Sequence, residues 1–156
     1  MDIYRVPNNK KGTKMNQSIK KIIRYVLKDL NMYSEDAESL VYRTGMAESG
    51  YRHLEQVKGP AIGFFQVEPD TINDTIINYL KFRPKRMAHL VKRGLDLTEP
   101  ENSVLCSIYL QVAFCRYKYW RSPKPSPSGM VSQAKYWKEI YNGPGKGTLE
   151  HFVESN

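Results

Sequence analysis

Glu48 stands four residues after Thr44, seven after Val41 and eleven after Ala37, a spacing that places its carboxyl on the apolar stripe of a helix. A carboxyl on such a stripe loses part of its hydration, which disfavours the charged form and raises its pKa. It also falls near the expected end of that helix, where the negative pole of the backbone dipole acts in the same direction. An acid that keeps its proton near neutral pH can protonate a leaving oxygen, the first step of acid-catalysed cleavage of a glycosidic bond. A surface glutamate at a fraying helix end would have the same spacing, so the other residues that could share a site with it carry the argument.

Three clusters follow in order. Gly63-Phe64-Phe65-Gln66 lies in a short apolar stretch punctuated by Gly59-Pro60 and Gly63. Pro100-Glu101-Asn102-Ser103 precedes Tyr109-Leu110, and Tyr141-Asn142-Gly143-Pro144-Gly145 closes a later helix. Asn102 could cap or cross-link helices, and Tyr141 could pack in a core beside Trp137.

The elements that must position these residues are mostly helices. Ile19, Ile22, Ile23, Val26, Leu27 and Leu30 form one stripe. Ser34 is an N-cap, followed by Glu35 and Asp36 at the positive end of a helix running to about Ser49. Residues 50–69 lose the period and read as a folded loop or small hairpin. Helices follow from near Pro69, through the basic segment that ends at Gly94, and beyond Thr98-Glu99-Pro100-Glu101, which has the spacing of a capping box. That last helix carries Val104, Leu105, Ile108, Val112, Cys115 and Tyr119 on one face. A proline-rich loop spans residues 122–129, a helix covers about 131–142, and Thr148 caps a final short one. The expectation is a mainly α single domain over residues 15–156, with a small loop or hairpin as its only β-like part, after a polar, basic arm of residues 1–14.

Composition narrows the classes. The chain has 156 residues, enough for one domain with a real core. No apolar run is long enough for a membrane span, and the first residues lack the apolar core of a secretory signal. Cys106 and Cys115, if on one helix, stand about 13 Å apart, too far for a disulfide, so buried free thiols are expected. His53, His89 and His151 are scattered and no metal-ligand spacing occurs, so neither metal nor cofactor is expected. The net charge of +8 favours polyanionic partners.

Taken together, the four blocks resemble the goose-type lysozyme and soluble lytic transglycosylase family. Met46-Ala47-Glu48-Ser49-Gly50 resembles its catalytic Glu-Ser block. Gly63-Phe64-Phe65-Gln66, with Glu68-Pro69-Asp70-Thr71 after it, is similar to its Gly-Leu-Met-Gln loop and Pro-x-Thr continuation. Pro100-Glu101-Asn102-Ser103 with Tyr109-Leu110 resembles its Glu-Asn-Ile block, and Tyr141-Asn142-Gly143-Pro144-Gly145 its Ala-Tyr-Asn-Ala-Gly-Pro-Gly block. The blocks span residues 46–145. Phe64-Phe65 replaces Leu-Met, Ser103 replaces Ile, and one residue is missing after Asn142.

The resemblance implies a lysozyme-like fold and cleavage of the β-1,4 bond between N-acetylmuramic acid and N-acetylglucosamine. It makes Glu48 the catalytic acid, with Tyr141 hydrogen-bonding near Glu48 or the substrate's N-acetyl group. Ser49, Gly63, Phe65, Gln66, Asn102 and Asn142 become substrate-binding or carboxyl-orienting residues. The outcome, a 1,6-anhydro product or a hydrolysed end, stays open, as does a second carboxylate among Glu55, Glu68 and Asp70. The likeness extends to phage lysis or virion-associated proteins, which implies a host-cytoplasmic or virion location, glycan strands and an anionic wall as partners, and other phage proteins alongside. Two rivals remain. The charge, eleven tyrosines and the basic stretch 81–93 fit a nucleic-acid binder, against which stands the absence of any base-reading motif. A catalytically inactive lysozyme-like module is opposed by the joint presence of Glu48, Gln66 and Tyr141.

Overall fold

The computed structural model describes residues 14–56 and 58–156. The arm expected over residues 1–14 lies outside them except for Lys14, which already belongs to the first helix. That helix, α1 (Lys14–Asp29), buries Ile19, Ile23, Val26 and Leu27 from the stripe read in the sequence, with Ile22 at its margin. Ser34 caps α2 (Glu35–Glu48), its hydroxyl accepting the Ala37 N–H at 3.0 Å, and Ala37, Leu40, Val41 and Thr44 are fully buried.

The described residues between 50 and 68 form no strand. Isolated antiparallel bridges pair Ile62 with both Glu55 and Val67, which is the small hairpin-like loop expected there. Then come α3 (Pro69–Asn78), a 3-10 turn (Leu80–Phe82) and α4 (Pro84–Lys92), after which Gly94 turns the chain with φ +111°.

The next segment departs from expectation twice. Thr98 does not cap: its N–H and hydroxyl both donate to Asp96 Oδ1, and α5 (Pro100–Leu105) starts behind Glu99 with no side-chain cap. Nor does one helix continue through residue 119. It breaks at Cys106, and Ser107 caps a new helix, α6 (Ile108–Trp120), by accepting the Leu110 N–H. The Gln111 amide supports the break by donating to the carbonyls of Val104 and Leu105, the last two residues of α5. The two cysteines therefore sit on different helices, and Cys106 is exposed while Cys115 is buried.

From Leu110 to Tyr119 every residue of α6 except Lys118 is buried, so α6 is enclosed all round rather than on one face. Helices α1, α2, α3 and α5 pack around it. After the loop 122–129, α7 (Met130–Tyr136) passes into a π-helical turn (Trp137–Asn142), ended by Gly143. Thr148 caps α8 (Leu149–Ser155), which packs on α2 and α7. The domain is thus mainly helical. No helix among the described residues is long and apolar enough to cross a membrane.

Candidate active site

Glu48 is the last residue of α2 and is half-buried at the rim of the core. One turn below, the Thr44 hydroxyl shares a 2.8 Å hydrogen bond with the Tyr119 hydroxyl of α6, fixing the face that Glu48 continues. The indole N–H of Trp137 donates to Glu48 Oε1 at 3.1 Å. Trp137 opens the π-helical turn, whose wider winding re-aims side chains relative to a regular helix. Gly147 passes so close to the indole that a Cβ there would overlap it.

Burial raises the Glu48 pKa from 4.5 to about 7, with the nearby negative charge of Glu68 pushing the same way. The Trp137 hydrogen bond and the positive charges of Lys118 and His151 hold it from rising further. Desolvation wins, so the acid is about half protonated at neutral pH. Of the three carboxylates near it in sequence, Glu68 is the one whose charge acts on Glu48, and it is a minor influence beside burial. It is exposed, at the N-cap of α3.

A tight loop, residues 62–67, is fastened beside the acid from three sides. Ser49 donates to the Phe64 carbonyl at 2.6 Å and accepts the Tyr51 N–H at 3.0 Å. Gln111 accepts the Phe64 N–H at 3.0 Å, and Tyr141 donates to the Phe65 carbonyl at 2.6 Å. Gly63 has φ +78°, and a Cβ there would lie 2.8 Å from the Gln111 side chain, so both backbone angle and space demand glycine. Gln66 also has positive φ (+49°), and its amide donates back to the Gly63 carbonyl at 2.8 Å.

Several expected roles change. Tyr141 is buried and bonds Phe65, not Glu48; its ring stacks on Tyr119 and carries Lys118 Nζ 4.4 Å from its centroid. Lys118 also donates to the Tyr141 carbonyl. Phe65 is fully buried, edge-on to Tyr51, so it supports the loop and is not placed to touch a ligand. Phe64 is the half-buried member of the pair. Asn102 is exposed on α5 and makes no side-chain hydrogen bond among the described residues. Asn142 accepts from Lys138 Nζ at 2.9 Å and lies against Gly145, so it staples its own loop. Glu48, Ser49, Gly63, Gln66 and Tyr141 are drawn into one assembly; Asn102 and Asn142 are not bonded to it.

Trp137, Lys118 and His151 were not read as part of a site. His151 donates through Nε2 to the Ala47 carbonyl at 2.6 Å, beside the Trp137 ring. A lysine between Tyr117 and Tyr119, in the most enclosed helix, is the sequence signal that could have marked Lys118. Against the same loop, His53, Leu54, Glu55, Leu105 and Cys106 line an open groove of about 780 Å³. Among the described residues no group of His, Cys, Asp and Glu could hold a metal ion. The chain matches no protein-family model, no curated protein and no solved structure.

Proposed function

We propose that the chain is a lysozyme-like, peptidoglycan-cleaving enzyme with Glu48 as its acid. The observation that carries this reading is a half-buried glutamate whose carboxyl, raised to about 7 by burial, is held by an indole N–H beside a loop fastened to three helical segments. Glu48 gives its proton to the oxygen joining N-acetylmuramic acid to N-acetylglucosamine, and the bond to the anomeric carbon breaks as positive charge develops on the sugar. Glu48, now a carboxylate, takes a proton back from the nucleophile that closes the reaction.

That nucleophile is the muramic 6-hydroxyl in a lytic transglycosylase, which yields a 1,6-anhydro ring and requires no second carboxylate. Glu68 favours a second outcome. Its exposed carboxylate near Glu48 could steady the cation or orient a water, and a free reducing end would result. Ser49, Gly63, Gln66 and Tyr141 act by holding the loop against which the sugars would lie, and the groove beside Leu54 and Leu105 extends that surface. The excess of 24 Lys and Arg over 16 Asp and Glu draws the protein to an anionic wall, as in phage lysis or wall entry.

The test is digestion of purified peptidoglycan by wild type, Glu48→Gln and Glu68→Gln, with mass spectrometry of the fragments. Loss of cleavage in Glu48→Gln is expected; equal cleavage would refute the assignment. Anhydro-muropeptides unaffected by Glu68→Gln mark the transglycosylase, and reducing ends that depend on Glu68 mark the hydrolase.

A further inference from the structure

Arg116 lies two positions before Lys118 on α6, about 200° around the helix, so it leaves on the side away from Glu48. It is only 7% exposed, yet among the described residues it has no ion pair. Its Nε donates to the Met32 carbonyl at 3.1 Å, and neither terminal NH2 group has a hydrogen-bond partner among the described residues. Every fully buried polar side-chain atom among the described residues has a partner, so these two groups must open outward. They open on a groove of about 570 Å³ between the α1–α2 connection and the loop 122–129, lined by Met32, Tyr33, Arg116, Trp120, Pro123 and Lys124 among others.

The electrostatics of the groove are lopsided. The Arg116 guanidinium lies 5.0 Å from the centroid of the Trp120 ring, and Arg86, which lines the neighbouring pocket and has no carboxylate partner among the described residues, lies 5.3 Å from the same ring. Asp36, the acidic residue of the lining, has one carboxylate oxygen taken by the Ser128 hydroxyl at 2.7 Å and forms no ion pair with Arg116. A desolvated cation without a counter-charge is costly to hold in a folded protein. With Nε engaged, the terminal NH2 groups present two donors in the fork geometry that matches two oxygens of one anion. Tyr33 (37% exposed) and Trp120 (41% exposed) supply aromatic surface on either side.

We propose that this groove is a second binding site that takes a carboxylate or phosphate on Arg116, with the chain bearing the anion lying along Tyr33 and Trp120. It is separate from the Glu48 site and requires no cleavage to be observed. For a protein acting on a cell wall, the two sources of such an anion are a peptide's free carboxylate and a wall or membrane phosphate.

The test titrates the full chain with inorganic phosphate, with an N-acetylated dipeptide bearing a free carboxylate, and with the same dipeptide as its amide. The indole N–H signals of Trp120 and Trp137 are followed by NMR. Saturable movement of the Trp120 signal, with Trp137 still, is expected for at least one of the anions and not for the amide. Which anion binds identifies the source. Arg116→Lys keeps the charge but loses the fork and should weaken binding roughly tenfold. Arg86→Gln, a change at a half-buried position, should weaken it several-fold and serves if the first variant does not fold. No saturable shift with either anion, an equal shift with the amide, or unchanged binding in the folded variants would overturn the proposal.

Discussion

Trp137 donates its indole N–H to the Glu48 carboxylate at 3.1 Å, joining residues 89 positions apart. The bond favours the charged form of Glu48, against the desolvation that favours the neutral one, so the acid's pKa is a balance between two opposing effects. Replacing Trp137 by Phe removes the donor and keeps most of the apolar bulk. The alkaline limb of the pH–activity profile is expected to move above pH 7; a limb that stays in place or moves down would show that the indole does not set the acid's strength.

Glu48 itself ties stability to pH. Its proton is held more tightly in the folded protein, at about 7, than at its ordinary 4.5. The folded protein therefore binds more protons between those values, and stability is full below pH 4.5 and falls as pH rises through about 7. The difference corresponds to about 3 kcal/mol. Glu48→Gln should match wild type in denaturant unfolding at pH 4.5 and exceed it at pH 8.

At Tyr141, loss of the hydroxyl leaves the buried Phe65 carbonyl without its 2.6 Å donor. Tyr141→Phe is expected to lower stability by about 1–3 kcal/mol. Because the hydroxyl does not touch Glu48, activity should fall through loop placement, with KM rising more than the pH limb shifts. A large pH shift with unchanged KM would contradict that role.

Gly63→Ala meets both a positive φ and the Gln111 side chain. The variant should lose about 2 kcal/mol or more of stability, read as a lower denaturation midpoint. Wild-type stability would mean that the loop is free to rearrange.

At the C-terminal end of α1, Asp29 accepts hydrogen bonds from Tyr109, His89 and Arg93. The Tyr109 hydroxyl, with the other donors behind it, holds its pKa at about 2, against an ordinary 3.8. This contribution is complete above pH 3.8 and is lost as pH falls through about 2. Asp29→Asn should cost about 1–2 kcal/mol at pH 7. The gap to wild type should close in acid.

The helices were legible where periodicity and caps agreed, as in α1, with its buried Ile19, Ile23, Val26 and Leu27, and at Ser34 and Thr148. The break at Cys106 was not, because Val104 to Tyr119 keeps an unbroken apolar period. What divides it is Gln111 reaching back to two carbonyls, a contact that exists only after folding. Phe65 illustrates another limit: hydrophobicity marks a residue for burial or for a cleft wall without choosing between them. Glu48 was legible as a partly desolvated acid because burial can be read from spacing. Its donor was not, since nothing in the order of residues says that a π-helical turn will aim Trp137 at it.

α8 is only seven residues long, yet it closes over the end of α2. His151 grips the Ala47 carbonyl, Asn156 just beyond it grips that of Arg43, and Phe152 packs on Trp137. So short a helix has little stability of its own and is a natural unit for local opening while the rest stays folded. Once it lifts, Trp137 loses the Phe152 ring that seats it and Glu48 loses the nearby charge of His151, so the acid and its donor are no longer held in place. The fraction of molecules with the acid correctly set should then follow the hydrogen-exchange protection of residues 149–155, and activity should fade on warming before the domain melts.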